Sequence, residues 1–164
     1  MSIKEQKHRL PKEYYKGQVS VAFTLCLKGN ENKPSGFTES AIVNIFTDIL
    51  SQVVANADCI VPVYCYMPDH QHLIITGITR SSDISKAIAS YKQRTGYWMS
   101  ANGSMLRWQK DFYDHVIRRH EDLSTQARYI LDNPVRKGFV SSWQEYPFFG
   151  SIGCRLEDVL EGII

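Results

Sequence analysis

Cysteine, long apolar runs and net charge are all scarce in this chain, and each shortage removes a class of protein. The four cysteines, Cys26, Cys59, Cys65 and Cys154, stand at irregular spacings with no C-x-x-C pair. A cysteine zinc knuckle is therefore excluded, and a disulfide framework has no support in a chain without a secretory signal. The apolar neighbours of Cys26, Cys59 and Cys65 predict buried free thiols. No uninterrupted apolar run approaches the ~18 residues that span a bilayer. The stretch Met1 to Arg9 lacks the apolar core of a signal peptide, so the expectation is a soluble, cytoplasmic protein. Charge of one sign is scarce too: 19 Lys and Arg against 17 Asp and Glu leave +2, which excludes neither a nucleic-acid nor a small-molecule partner. What is present is a 43% hydrophobic content over 164 residues. That suits one compact domain with a packed core and rules out wholesale disorder.

The chain has no internal repeat and no low-complexity linker. Residues 1–16 are polar and basic and read as an arm, 17–150 as the main domain, and 151–164 as a C-terminal tail. Val19 to Leu27 is apolar and β-branched, hence a strand. After the turn chemistry of Lys28 to Gly36, Thr38 is the expected N-cap of a helix with Ile42, Ile45, Phe46, Ile49, Leu50 and Val53 on one face. Cys59 to Met67 and His70 to Thr76 read as a hairpin about Pro68-Asp69, with Pro62 marking an edge or bulge. A second helix begins near Asp83, Leu106 to Ile117 reads as a bent strand, and a last helix spans about Glu121 to Asp132, ahead of Pro134. Trp143 to Gly150 reads as an ordered tail. The order β-α-β-β-α-β-α predicts an α+β protein: a ferredoxin-like, split βαβ antiparallel sheet with an additional C-terminal helix.

Three constellations carry chemistry. His70 and His72 flank Gln71 on a predicted strand; side chains at i and i+2 leave the same face, so both imidazoles could share one cation. On the last helix Asp122, Gln126, Tyr129 and Asn133 form one stripe, apart from the core-facing Leu123, Ala127, Ile130 and Leu131. A phenol with a carboxamide one turn later could offer a nucleophile and a metal ligand to one point. Lys86, Lys92, Arg94, Arg107 and Lys110 occur with no acidic residue among them, interleaved with Tyr91, Tyr97, Trp98 and Trp108, and Arg118 follows. That composition suits a phosphate-tracking groove with stacking platforms. Each has a plainer alternative: histidines that pack or face water, a tyrosine packing its ring, a solvated helix face over core aromatics.

Together these residues resemble the REP-associated tyrosine transposases, which belong with the insertion-sequence single-strand transposases among the His-hydrophobe-His endonucleases. The resemblance is carried by Met67-Pro68-Asp69-His70-Gln71-His72-Leu73-Ile74, by Trp108-Gln109 with Tyr113-Asp114-His115-Val116-Ile117-Arg118, and by Tyr129-Ile130-Leu131-Asp132-Asn133-Pro134-Val135-Arg136, with Lys92-Gln93 and Thr95 between them. Two positions depart from the family pattern: Asp69 stands where an asparagine is usual, and Gln71 where a hydrophobic residue is usual. Since Gln71 points to the opposite sheet face, its polarity implies a less dry environment there.

The resemblance implies Tyr129 as nucleophile, His70, His72 and Asn133 as ligands of Mg²⁺ or Mn²⁺, and single-stranded DNA beside a palindromic hairpin as substrate. It implies a 5′-phosphotyrosine intermediate, with Lys86, Lys92, Arg94, Arg107, Trp108, Lys110 and Arg118 as DNA contacts. Among the insertion-sequence relatives the tyrosine helix is supplied across a dimer interface; the sequence leaves monomer and homodimer both open. It also leaves two other readings standing: a hairpin-binding protein of the same fold with weakened catalysis, and a small metal-dependent hydrolase using His70, His72 and His115.

Overall fold

The computed structural model describes residues 10–29, 36–118 and 121–164. Most of the basic arm, with His8, and the pair Arg119-His120 lie outside the described residues. The end of the arm is a 3-10 turn over Lys12–Tyr15 with Tyr15 buried. Its hydroxyl donates to the Asp114 carboxylate and accepts from the Leu10 amide, which gives Asp114 a structural role.

Five strands, β1 (Ser20–Cys26), β2 (Cys59–Met67), β3 (His70–Gly77), β4 (Tyr113–Ile117) and β5 (Phe149–Ile152), form one sheet in the order β4-β1-β3-β2-β5. Every pairing is antiparallel. The first four strands stand in the order the split βαβ pattern requires, and β5 adds an edge beyond β2. Strand alternation splits the core into two layers. Val21, Phe23 and Leu25 of β1 and Leu73 and Ile75 of β3 pack under helices α1 (Ser40–Asn56) and α2 (Ile84–Ala101). On the other face Val63, Cys65, Met67 and Ile74 pack under α3 (Leu123–Leu131), with Val159 of α5 (Leu156–Leu160) completing the layer.

Several boundaries differ from the sequence expectation. The first helix begins at Ser40, with Glu39 and not Thr38 at the N-cap. The bent strand expected over Leu106 to Ile117 is a strand only from Tyr113. Its first half keeps one antiparallel bridge to the chain after β1, Trp108 opposite Leu27, and then leaves the ladder where the Lys92 ammonium donates to the carbonyls of Gln109 and Lys110 at 3.0 and 3.1 Å. The last helix starts at Leu123, because the Asp122 carboxylate caps it by accepting from the Ser124 amide at 3.1 Å. Past Leu131 the chain adds a single turn, α4 (Asn133–Arg136), with Pro134 in its first turn, where a missing N–H costs nothing. Pro62 sits at a register shift between Ile60 and Val63, the bulge its position suggested. Cys59 and Cys65 are buried as expected, but Cys26 is half-buried on the face under α3. At the C-terminal end, β5 runs across the expected boundary at Gly150, and Val159 beyond it is fully buried.

Candidate active site

The Pro68-Asp69 turn brings β2 directly back as β3, with Met67 opposite His70 and Cys65 opposite His72. On the other side Cys26 and Thr24 of β1 face the same two histidines. His70, His72 and Ile74 share one face of β3, and Ile74 packs beneath Ala127, Ile130 and Leu131 of α3. The imidazoles therefore lie on the face that carries the tyrosine helix.

The two Nε2 atoms are 3.0 Å apart. Each Nδ1 is held: His70 Nδ1 lies 2.6 Å from Asp69 Oδ1, and His72 Nδ1 lies 3.0 Å from Thr24 Oγ1. A carboxylate only accepts, so His70 carries its proton on Nδ1 and presents a lone pair at Nε2. The contact between the rings then requires the proton on His72 Nε2, with the Thr24 hydroxyl donating to Nδ1. His72 is kept neutral by its surroundings. Burial first, then repulsion from a protonated His70 and from Arg136, push its pKa down to about 4.

This donor set fits a divalent cation. Two nitrogens each ~2.1 Å from one ion at a right angle lie ~3.0 Å apart. Replacing the shared proton by a cation needs only a tautomer change at His72, since the Thr24 hydroxyl accepts as readily as it donates. Asp69 and Thr24 are the kind of outer partners that orient metal-bound imidazoles. Among the described residues no group of three His, Cys, Asp or Glu side chains converges on a point, so the imidazole pair is joined by no third ligand of those types.

Tyr129 is 61% exposed, while Ala127, Ile130 and Leu131 of the same helix are buried. The ring is thus presented outward, as its stripe predicted, and is not core. Asn133 is buried; its Oδ1 accepts from Arg136 Nη2 at 3.0 Å, and its Nδ2 is buried with no partner. Arg136 was part of the matching sequence block but had no role assigned. Its position seven residues after Tyr129, two helical turns on, was the available signal.

The remaining expected residues are only partly gathered here. Lys86, Lys92 and Arg94 ride on α2, which covers the opposite sheet face. Arg94 bonds Gln52, and Arg107 bonds the carbonyls of Ser104 and Leu106 in its own loop. Lys86, Arg107, Lys110 and Arg118 are exposed. Trp108 is corrected: it is a core residue, not a stacking platform, with Nε1 donating to Thr95 Oγ1 at 2.8 Å and its ring against Phe37 and Phe46. Tyr91 is buried and Trp98 packs against Phe46, which leaves Tyr97 as the exposed aromatic of that stretch. Gln71 is fully buried on the α1–α2 face and accepts from the Tyr91 hydroxyl at 2.6 Å, so the polar environment inferred there is a tyrosine pair, Tyr91 with Tyr66. His115 lies 2.7 Å from Glu121 and takes no part in the imidazole pair.

A REP-associated tyrosine transposase of Escherichia coli (strain K12) is 32% identical over 82 residues, 50% of this chain and 48% of that protein. A relative from Haemophilus influenzae is 28% identical over 95 residues, 51% of this chain and 54% of its own length. The chain thus spans about half the length of the curated relatives it matches. A solved structure of a REP-associated tyrosine transposase bound to a REP hairpin superposes with a TM-score of 0.71 at 24% identity, over 88% of this chain and 81% of that one, and shares the fold. The family model described as "Transposase IS200 like" matches residues 23–133, from β1 through the imidazole pair and the tyrosine helix to Asn133; the chain belongs to the IS200-like transposase family.

Proposed function

We propose that this protein cleaves and rejoins single-stranded DNA beside a hairpin, through a covalent phosphotyrosine at Tyr129. The observation that carries the reading is the pair of imidazole Nε2 atoms 3.0 Å apart on the sheet face packed beneath the helix of an exposed tyrosine. A hydrolase using His115 loses its support, because that ring is paired with Glu121. Gln71 is compatible with activity, because its side chain is buried against Tyr91 on the face of the sheet away from the imidazoles.

In the proposed step the Tyr129 oxygen attacks the scissile phosphorus in line. The new bond is Oη–P and the broken bond is P–O3′; the phenolic proton is lost and the departing 3′-oxygen gains one. The ester keeps the energy of the original linkage, so a second 3′-hydroxyl can displace Tyr129 and join DNA without ATP. His70 and His72, with the carboxamide oxygen of Asn133, would hold Mg²⁺ or Mn²⁺. When bound, such an ion polarises the phosphate oxygens and favours the tyrosinate. Asp69 and Thr24 keep both imidazoles aimed. The exposed cations Lys86, Arg107, Lys110 and Arg118 are proposed to track the DNA backbone. The hairpin comes from the solved relative, whose described ligand is a REP hairpin.

Incubation with a hairpin-bearing single-stranded oligonucleotide and Mn²⁺ should yield a protein–DNA adduct that survives a denaturing gel. Tyr129→Phe should abolish the adduct and retain binding, and His70→Ala should abolish cleavage. An undiminished adduct from Tyr129→Phe would refute the assignment.

A further inference from the structure

We infer that Arg136 is a phosphate-binding residue of the cleavage site, its guanidinium held against the Tyr129 ring where the scissile phosphate has to lie. The inference rests on the reading of Tyr129 as nucleophile. The Arg136 Cζ sits 3.9 Å from the centroid of the Tyr129 ring. Its Nη2 donates to the Tyr129 carbonyl at 3.0 Å and to Asn133 Oδ1 at 3.0 Å. One side chain therefore clasps the nucleophile's ring, the nucleophile's backbone and the carboxamide one turn on. Because a guanidinium has only donors, it also dictates which end of the Asn133 amide faces it, at the expense of an unpaired Nδ2.

Those contacts leave charge and donors to spare. The only carboxylate on Arg136 among the described residues is Asp132, at a long 3.5 Å, and the Arg136 side chain is 36% exposed. Of the five N–H groups of a guanidinium, Nη2 uses two and Nη1 one. Nε and one Nη1 proton remain, on separate edges of the planar group, each able to donate to a phosphate oxygen. A phosphodiester bound there carries one negative charge and gains another as the Oη–P bond forms. A fixed cation at that place stabilises the second charge more than the first, which accelerates the step and not merely the binding.

Two measurements test this. In single-turnover adduct formation with the hairpin oligonucleotide, Arg136→Ala should lower the maximal rate ~100-fold. Its affinity for the hairpin, measured in the Tyr129→Phe background, should change less than ~3-fold, since the exposed cations carry binding. Arg136→Lys should recover ~10-fold of the lost rate, because a point charge returns without the fork. A rate within ~3-fold of wild type for the alanine variant, or a lysine variant no better than alanine, would overturn the proposal. Independently of cleavage, inorganic phosphate titrated into the wild-type protein should shift the Arg136 Nε–Hε resonance saturably. No shift overturns the proposal even where the adduct forms. A shift without an adduct would instead uphold Arg136 and refute the nucleophile.

Discussion

His72 is the residue whose environment has the largest consequence for the account. Buried beside a second imidazole and repelled by the Arg136 charge, it has its pKa pushed down to about 4 in the folded protein, against 6.5 when unfolded. Between those values the unfolded chain binds a proton that the folded one refuses, so stability rises with pH across the interval. The native state is at full strength above pH 6.5 and loses up to ~3 kcal/mol from this group as pH falls towards 4. Urea denaturation at pH 7 and pH 4.5 should show a larger acid loss for wild type than for His72→Gln; equal losses would contradict the placement of the ring. The paired histidines were legible in the sequence because strand geometry has a period of two, and nothing else was needed to put both rings on one face. Trp108 was not legible. An aromatic among cations has the same composition whether it stacks on a base or fills a core, and only the contacts with Phe37, Phe46 and Thr95 decide. Gln71 was half legible: its face followed from alternation, while Tyr91, its partner, comes from a different element.

At the scale of elements, the site is a hairpin, a neighbouring strand and a helix, and the hairpin does the aiming. Asp69 belongs to its turn and Thr24 to the strand beside it, each fixing one imidazole through Nδ1. Asp69→Ala and Thr24→Val should each weaken Mn²⁺ binding ~10-fold or more with little loss of fold, as losses of such outer partners do. Calorimetric titration with the metal alone reads this; unchanged affinity would mean that the rings are aimed by packing and not by these bonds. The hairpin could be read from sequence because two β-rich runs flank Pro-Asp. Thr24 could not, because cross-strand register between β1 and β3 depends on pairings that no local pattern encodes. The strand expected over Leu106 to Ile117 is interrupted between Trp108, which still bridges Leu27, and Tyr113; in the break the Lys92 ammonium, from another element, takes the carbonyls of Gln109 and Lys110.

For the whole molecule, the sheet order and the two-layer core follow from the alternation of a handful of strands, whereas β5 and α5 left little trace in the sequence. They are short, and their apolar residues show no sustained period. Yet Val159 is fully buried in the layer beneath the tyrosine helix, and Arg128 of α3 donates to the Leu160 carbonyl at 2.7 Å. Removing residues 151–164 should therefore cost several kcal/mol, by exposing that layer, and should lower the melting temperature by more than 10 °C, as a loss of that size does in a domain of this length. A truncated chain that melts with the full one would show the C-terminal segment to be dispensable.

The most direct test of the central claim is where the DNA becomes attached. Tyr129 is not the exposed tyrosine nearest in kind: Tyr113, 58% exposed, lies on β4 opposite Thr24 and on the same sheet face as the imidazoles. After reaction with the hairpin oligonucleotide and Mn²⁺, tryptic digestion separates the peptide 129–136 from the peptide 111–118. Mass spectrometry should find the nucleotide on the peptide that begins at Tyr129. Nucleotide on the peptide that contains Tyr113 would contradict the account.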